Sequence, residues 1–381
     1  MNFDALRKRI DALVENGVPE AQLIIRKDGK EVFRHIAGHS DAAKQRIARY
    51  DDLFWLFSMT KVYTMTAALR LVERGLIDLD EPVGTYLPEF KSLKVQDGDG
   101  TVDLTSPLTI RCLMSMTGGF NYDFNRYPEM QELIKNKNAS TVEVVNAFSK
   151  RPLLFQPGSK FCYGFGHDIV AAAVEVVSGK KFRDFVKDEL LDPIGITDMG
   201  FHPTPEQQSR IADKWRVEYR EDGLKPITLG PKINWLRLTD NYDSGGAGLF
   251  GNAEQYIKLA DALANGGIAE NGYRVLKPET INLMRTNQLG GDALKIYTGE
   301  YRRRIGYGYG LGVRTAMDPK AIGTSLNCQE FGWDGAAGSY VMIDPVNHIS
   351  LVYVEHVMNH SDIYTYDHLA FRDMTYQSMG L

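Results

Sequence analysis

Apolar residues recur along this chain at two spacings, and the change from one to the other outlines the architecture. Met1 to Ile10 alternates charged with apolar residues and reads as an amphipathic first helix. Leu23 to Lys27 and Glu31 to Ile36 then alternate as strands do. Asp28-Gly29 between them predicts a hairpin turn. The next run, Leu53-Phe54-Trp55-Leu56-Phe57, is continuously apolar and must be buried. Beyond it Val62, Met65, Leu69 and Val72 follow helical spacing until Gly75 stops the helix. A turn-rich connector through Val83 leads to segments with helical signals. Ile110 to Met116 ends at Gly118-Gly119, and Thr141 can cap a helix through Phe148. Asp168 to Val177 is closed by Gly179, and Phe182 to Leu191 precedes Pro193.

From about Lys232 the pattern turns to glycine-rich turns and strands. It is interrupted by a helix over Ala253–Ala264 and a shorter one after Pro278. The alternation Gly306 to Gly312 reads as sheet with Tyr307 or Tyr309 toward a cleft, because no helix opening with Lys-Ser/Thr follows to make it a nucleotide loop. Ser339–Ile343 and Ile349–Val354, joined by Asp344-Pro345-Val346-Asn347, form a second hairpin, and a last helix covers about Tyr364 to Ser378. The N-terminal strands need partners that the middle of the chain does not offer, so they should join the C-terminal hairpin in one antiparallel sheet. The resulting expectation is an α+β protein. Residues 1–75 and 232–381 would form a discontinuous sheet lobe, and residues 76–231 a mainly helical insertion.

Composition narrows the function. At 381 residues, 43% hydrophobic and 24% charged, the chain can build one large core or two lobes. Its net charge of −5 without a basic block points away from nucleic acid and anionic membranes, leaving small molecules as partners. There is neither a secretory leader pattern nor an apolar run of about 18 residues. Cys112, Cys162 and Cys328 are widely spaced. A cytoplasmic protein with reduced thiols is the expectation, and its oligomeric state stays open.

Three stretches carry candidate chemistry. Ser58-Met59-Thr60-Lys61 stands where the buried aromatic run meets the helix. Three-residue spacing returns Lys61 beneath Ser58, and the helix N-terminus adds positive potential. Burial should depress the lysine pKa until the amine can act as a base for the serine. The plainer alternative is a capping serine and a solvated lysine. In Phe155–Phe165 a Pro157-Gly158 turn leads to Tyr163, a phenol able to relay protons if nearby lysine charge lowers its pKa, or simply a loop-packing tyrosine. Phe331 to Gly338 precedes the terminal hairpin. An edge strand of such small residues could aim the amides of Ser58 and Ala336 at an acyl oxygen as an oxyanion hole. It could equally be a glycine-rich bulge.

In that order, Ser58-x-x-Lys61, Tyr163 after a Pro-Gly turn and Trp333-Asp334-Gly335 resemble the serine beta-lactamase superfamily. The similarity is to its class C-like, penicillin-binding-protein-related hydrolases and the family VIII carboxylesterases. Gly75 to Asp80, Met116 to Gly119, Val177 to Gly179 and Ser244 to Leu249 extend the resemblance over about residues 15 to 360. It implies an antiparallel sheet flanked by helices, an all-helical lobe, and an active site between them. It also implies an acyl-enzyme on Ser58 with Lys61 and Tyr163 sharing acid–base work, and no metal or organic cofactor.

Two departures bear on substrate. The Tyr-x-Asn of the family's lactamases and peptidases is here Tyr163-Gly164-Phe165, and the usual Lys-Thr-Gly is Trp333-Asp334-Gly335. An indole favours an apolar or neutral group, and Asp334 disfavours a carboxylate nearby. The expectation is therefore a carboxylesterase for small, rather apolar acyl esters. Trp333, Asp334, Gly335, Phe165 and Tyr122 would bind substrate, with Phe124 and Tyr127 beside Tyr122 in the acyl pocket. An amidase, D-aminopeptidase or beta-lactamase, an acyltransferase, or a penicillin-binding sensor without turnover are the alternatives. His356 and His360 read as loop or surface histidines, not as zinc ligands, and His167 as a packed or capping residue. No Gly-x-Ser-x-Gly elbow offers a rival nucleophile.

Overall fold

A computed structural model describes residues 1–220, 223–229, 234–300 and 304–381. In chain order the elements that place the site are α1 (Asp4–Glu15), β1 (Glu20–Lys27), β2 (Lys30–Gly38) and α2 (Thr60–Glu73). There follow β3 (Lys94–Asp97), β4 (Gly100–Asp103), α3 (Thr141–Phe148), α4 (Gly166–Ser178), β5 (Trp215–Arg220), β6 (Gly223–Thr228) and α5 (Ala253–Ala264). The chain closes with β7 (Tyr307–Tyr309), β8 (Arg314–Ala316), β9 (Phe331–Asp334), β10 (Tyr340–Asp344), β11 (Ile349–Val354) and α6 (His368–Met379).

One seven-stranded sheet runs in the order β2-β1-β11-β10-β9-β8-β7, with every neighbouring pair antiparallel. Asp28 and Gly29 take φ of 53° and 74°, the doubly left-handed turn that a two-residue hairpin needs. The N-terminal hairpin docks on the C-terminal one through β1 and β11, so the two ends of the sequence share a sheet. Both faces of that sheet are covered, which is why its central strands lack polar alternation. Leu23 and Ile25 point into a core with Leu6 and Ile10 of α1 and Phe371 and Tyr376 of α6, whereas Ile24 joins the larger core with α2 and α5.

Between residues 76 and 220 helices outnumber strands. α4 is the longest of them, packed on α2 and α3 and apolar from Ile169 to Val174. Two hairpins, β3–β4 and β5–β6, also lie in the stretch read as helical. β4 is exposed throughout and only Val95 of β3 is buried, so no apolar alternation marked that pair, whereas Trp215 to Arg220 of β5 alternates apolar with charged residues, a strand signal that the helical reading missed. The lobe boundary expected near Lys232 falls outside the described residues. Among those residues no helix is long and apolar enough to cross a membrane, and no group of three or more His, Cys, Asp or Glu side chains could hold a metal ion. All three cysteines are free. His356 and His360 correct the surface reading: both are buried, one on the Ala212 carbonyl and the other paired with Glu355 at 2.8 Å.

Candidate active site

Ser58 owes its position to the residue before it. Phe57 adopts a left-handed backbone with φ of 45°, unfavourable for an aromatic residue, and is held there by a buried cluster including Trp55, Phe250 and Ala337. The kink puts Ser58 in a 3-10 turn, Phe57–Met59, that leads directly into α2. Between Asp52 and Leu69, Ser58 is the one residue that is not buried. A hydroxyl is thereby presented at the surface of an otherwise closed core.

Lys61 returns beneath it as the spacing predicts, with Nζ 3.2 Å from the serine Oγ. The amine also lies 2.8 Å from the Gly246 carbonyl and 3.3 Å from the Tyr122 hydroxyl, and 4.5 Å from the centre of the Tyr163 ring. Complete burial lowers its pKa to about 7, against the opposing pull of Asp168 and Asp334. Near neutral pH much of this lysine is an uncharged amine that can accept the serine proton.

Tyr163 sits on the same hydroxyl from the other side. Its pKa is raised, not lowered as the sequence reading required. Burial dominates, and hydrogen bonds from Ser58 and from the Trp333 indole only partly compensate. The phenol therefore stays protonated and in that form can donate a proton, whereas the neutral amine of Lys61 can accept one. Trp333 Nε1 donates to the Tyr163 oxygen at 3.0 Å, and the two rings stack at 5.7 Å.

β9 brings the third stretch to the serine. β8 pairs only with Phe331 and Gly332, so Trp333 and Asp334 form a local edge beside the Ser58 turn. Ala336 lies beyond that edge, exposed in the turn Gly335–Gly338 and not in the strand. Gly335 must lack a side chain, because a Cβ would stand 2.4 Å from the Leu56 carbonyl and 2.2 Å from Ser339 Oγ. This close approach sets the Ala336 amide beside the segment that carries Ser58.

A sheet, a buried lysine three residues after a half-buried serine, and a phenol beside them already narrow the family. The model of the beta-lactamase family matches residues 6–370. The chain belongs to the beta-lactamase family. Esterase EstB of Burkholderia gladioli is 28% identical over 371 residues, covering 89% of this chain and 88% of its own. The lovastatin esterase of Penicillium rubens is 29% identical over 302 residues, covering 75% and 72%. Among solved structures, EstCE1, a hydrolase with promiscuous acyltransferase activity, superposes with a TM-score of 0.80 at 24% identity over 98% of both chains. The protein is a hydrolase of the serine beta-lactamase fold.

Within this beta-lactamase-family site the structure redistributes several expected substrate contacts. Phe165 is fully buried, stacked on Phe148 at 4.5 Å and edge-on to Tyr122 at 4.7 Å, so it supports Tyr122 from behind and offers no surface to a ligand. Tyr127 is likewise inside, against Phe148 and Phe165. Trp333 is 2% exposed, and its one polar atom is engaged with Tyr163, so it positions the phenol instead of offering an apolar face to substrate. Asp334 is half-buried and its charge acts on Lys61 and Tyr163. Tyr122 touches the lysine, and Phe124 runs out to Trp235, 52% exposed, with ring centres 6.0 Å apart. His167 is buried on the Met114 carbonyl at 2.9 Å with its pKa lowered to about 3, a neutral packed residue.

Asp168 was not singled out from the sequence. It lies in the first turn of α4, wholly buried, and its Oδ1 accepts from Tyr242 at 2.7 Å, from Ser244 at 2.7 Å and from the Gly246 amide at 3.3 Å. Gly246 thus offers its N–H to Asp168 and its carbonyl to Lys61, coupling the carboxylate to the base through one peptide residue. A Cβ on Gly246 would fall 2.5 Å from the Tyr122 hydroxyl and 2.7 Å from Asp168 Oδ2. The available signal was the glycine pair after Ser244, which marks a backbone that something must approach closely.

Proposed function

We propose that this chain is a carboxylesterase for small, rather apolar acyl esters, working through an acyl-enzyme on Ser58. Neutral Lys61 takes the Ser58 proton as Oγ attacks the ester carbonyl. The tetrahedral oxyanion rests on the amides of Ser58 and Ala336. Collapse expels the alcohol as an alkoxide, far more basic than a phenolate, so Tyr163 protonates it despite its raised pKa and is reprotonated from Lys61. Water then attacks the acyl carbonyl by the same route in reverse, releasing the acid and restoring Ser58.

The observation that carries the ester reading is Trp333. At the position where lactamases of this family offer a lysine to a substrate carboxylate, this chain has a buried indole whose N–H is already bonded to Tyr163, with the Asp334 carboxylate next in sequence and the Arg304 guanidinium 5.1 Å over the ring. A substrate neutral at that end meets no penalty there, whereas a carboxylate loses the lysine and faces Asp334. The aromatic rim of Tyr122, Phe124 and Trp235 supports an apolar acyl group. The test is hydrolysis of a short p-nitrophenyl ester and of a chromogenic cephalosporin by the wild type and by Ser58→Ala. Ester turnover that vanishes in Ser58→Ala, with far slower lactam turnover, is the expected result. Rapid lactam turnover would overturn the ester preference, and near-normal ester turnover by Ser58→Ala would overturn the mechanism.

A further inference from the structure

The turn that carries Ala336 is fastened from outside the catalytic cluster. Gly335 donates its N–H to the Ser339 carbonyl at 2.8 Å, and Gly338 donates to the Gly335 carbonyl at 3.0 Å. The Ala337 carbonyl accepts from Val357 at 3.0 Å, and the Gly338 carbonyl accepts from His368 Nε2 at 2.9 Å. One side chain closes the ring: the Tyr364 hydroxyl donates to the Gly335 carbonyl at 2.7 Å and accepts from the Gly338 amide at 3.1 Å. It therefore bridges the two ends of the turn with Ala336 between them. Tyr364 belongs to a π-turn, Ile363–Asp367, inserted ahead of α6. Such a turn widens the helix by one residue, a device that recurs at functional positions. Beneath Gly338 the carboxylate of Glu355 leaves no room for adjustment, since a Cβ there would fall 2.1 Å from Oε1.

We propose that Tyr364 is a positioning residue for the oxyanion hole, and that its hydroxyl fixes the direction of the Ala336 amide. This rests on the reading of Ala336 given above. The Tyr364 hydroxyl bonds to the two ends of the turn. It works because a donor helps only if it stands at hydrogen-bond distance from the oxygen as charge develops, and a displacement of about 1 Å can cost on the order of 100-fold in rate. Ground-state binding of the ester does not use that donor to the same degree, so the loss falls on kcat.

The experiment is a double-mutant cycle with Tyr364→Phe, which keeps the ring and removes the hydroxyl, and Ala336→Pro, which removes the amide hydrogen. Proline is tolerated at the second position of a turn. Rates of short-ester hydrolysis are divided by the number of sites titrated to completion with a fluorophosphonate, so partial unfolding does not register as slow catalysis. Tyr364→Phe should lower kcat about 10- to 100-fold with KM within about twofold, and should cost almost nothing further in the Ala336→Pro background. A kcat per titrated site close to wild type in Tyr364→Phe would overturn the inference, as would a full additional loss in the double variant. If Ala336→Pro folds, by its near-ultraviolet dichroism, and keeps wild-type kcat, the oxyanion reading itself fails and takes the inference with it. If Ala336→Pro does not fold, the slowed rate of phosphonylation in Tyr364→Phe decides alone.

Discussion

Phe57 and Lys61 are the two residues on which the site spends stability. A left-handed backbone at a buried aromatic residue costs about 1–3 kcal/mol and persists because Trp55, Phe250 and Ala337 hold the ring. Lys61 is costly in proportion to its charge. Its folded-state pKa of about 7 lies below the ordinary value of 10.5, so between these limits the unfolded chain holds a proton that the folded chain has released. Stability therefore rises with pH across that window. Lys61→Met should abolish that slope in urea unfolding, and should be most stabilising at and below pH 7. The same pKa sets the rate: kcat/KM for the ester should climb through about pH 7 and level off above it, as the free amine forms. A profile flat from pH 6 to pH 9 would exclude Lys61 as the base. That Ser58, Lys61 and Tyr163 meet could be read from the sequence because two of them are fixed by helical spacing and the third by a turn. The side on which Phe165 and Trp333 present themselves could not, because it is decided by rings from four distant segments.

At the scale of elements, α4 and the glycine run Ser244–Gly248 tune that lysine together. Asp168 raises the Lys61 pKa; burial raises the pKa of Asp168 itself, and three donors on one oxygen oppose that rise. Asp168→Asn should consequently shift the acid limb of the pH–rate profile to lower pH, while an unmoved limb would show that the carboxylate does not act on the base. Gly246→Ala should be far more damaging, because the new methyl collides with both Tyr122 and Asp168, and the ester kcat should fall steeply. An acidic residue in the first turn of a helix looks, in sequence, like an ordinary partner for the helix dipole. Its coupling to a lysine 107 positions earlier emerges only when α2, α4 and the glycine run meet. The hairpin β3–β4 stayed hidden for the opposite reason: it buries so little that it has no pattern to display, unlike β5, whose alternation from Trp215 to Arg220 was legible.

Across the whole molecule, the sheet separates two cores with different duties. The face covered by α1 and α6 contains none of Ser58, Lys61, Tyr163 and Asp168, whereas the other is continuous with them. Ile10→Ala, at a fully buried position of the first core, should cost about 2–5 kcal/mol in urea unfolding and leave the ester kcat per folded molecule unchanged. A matching loss of kcat would mean that the sheet transmits its packing to the site. The stacking of Trp333 on Tyr163 has an optical consequence. Of the four tryptophans, Trp333 is sealed against Tyr163, the phenol that the proposed mechanism has moving protons. The other three contribute a background, so the change in emission on mixing with an unlabelled ester, not its level, becomes an internal gauge of acylation that times formation and decay of the acyl-enzyme in a stopped-flow instrument.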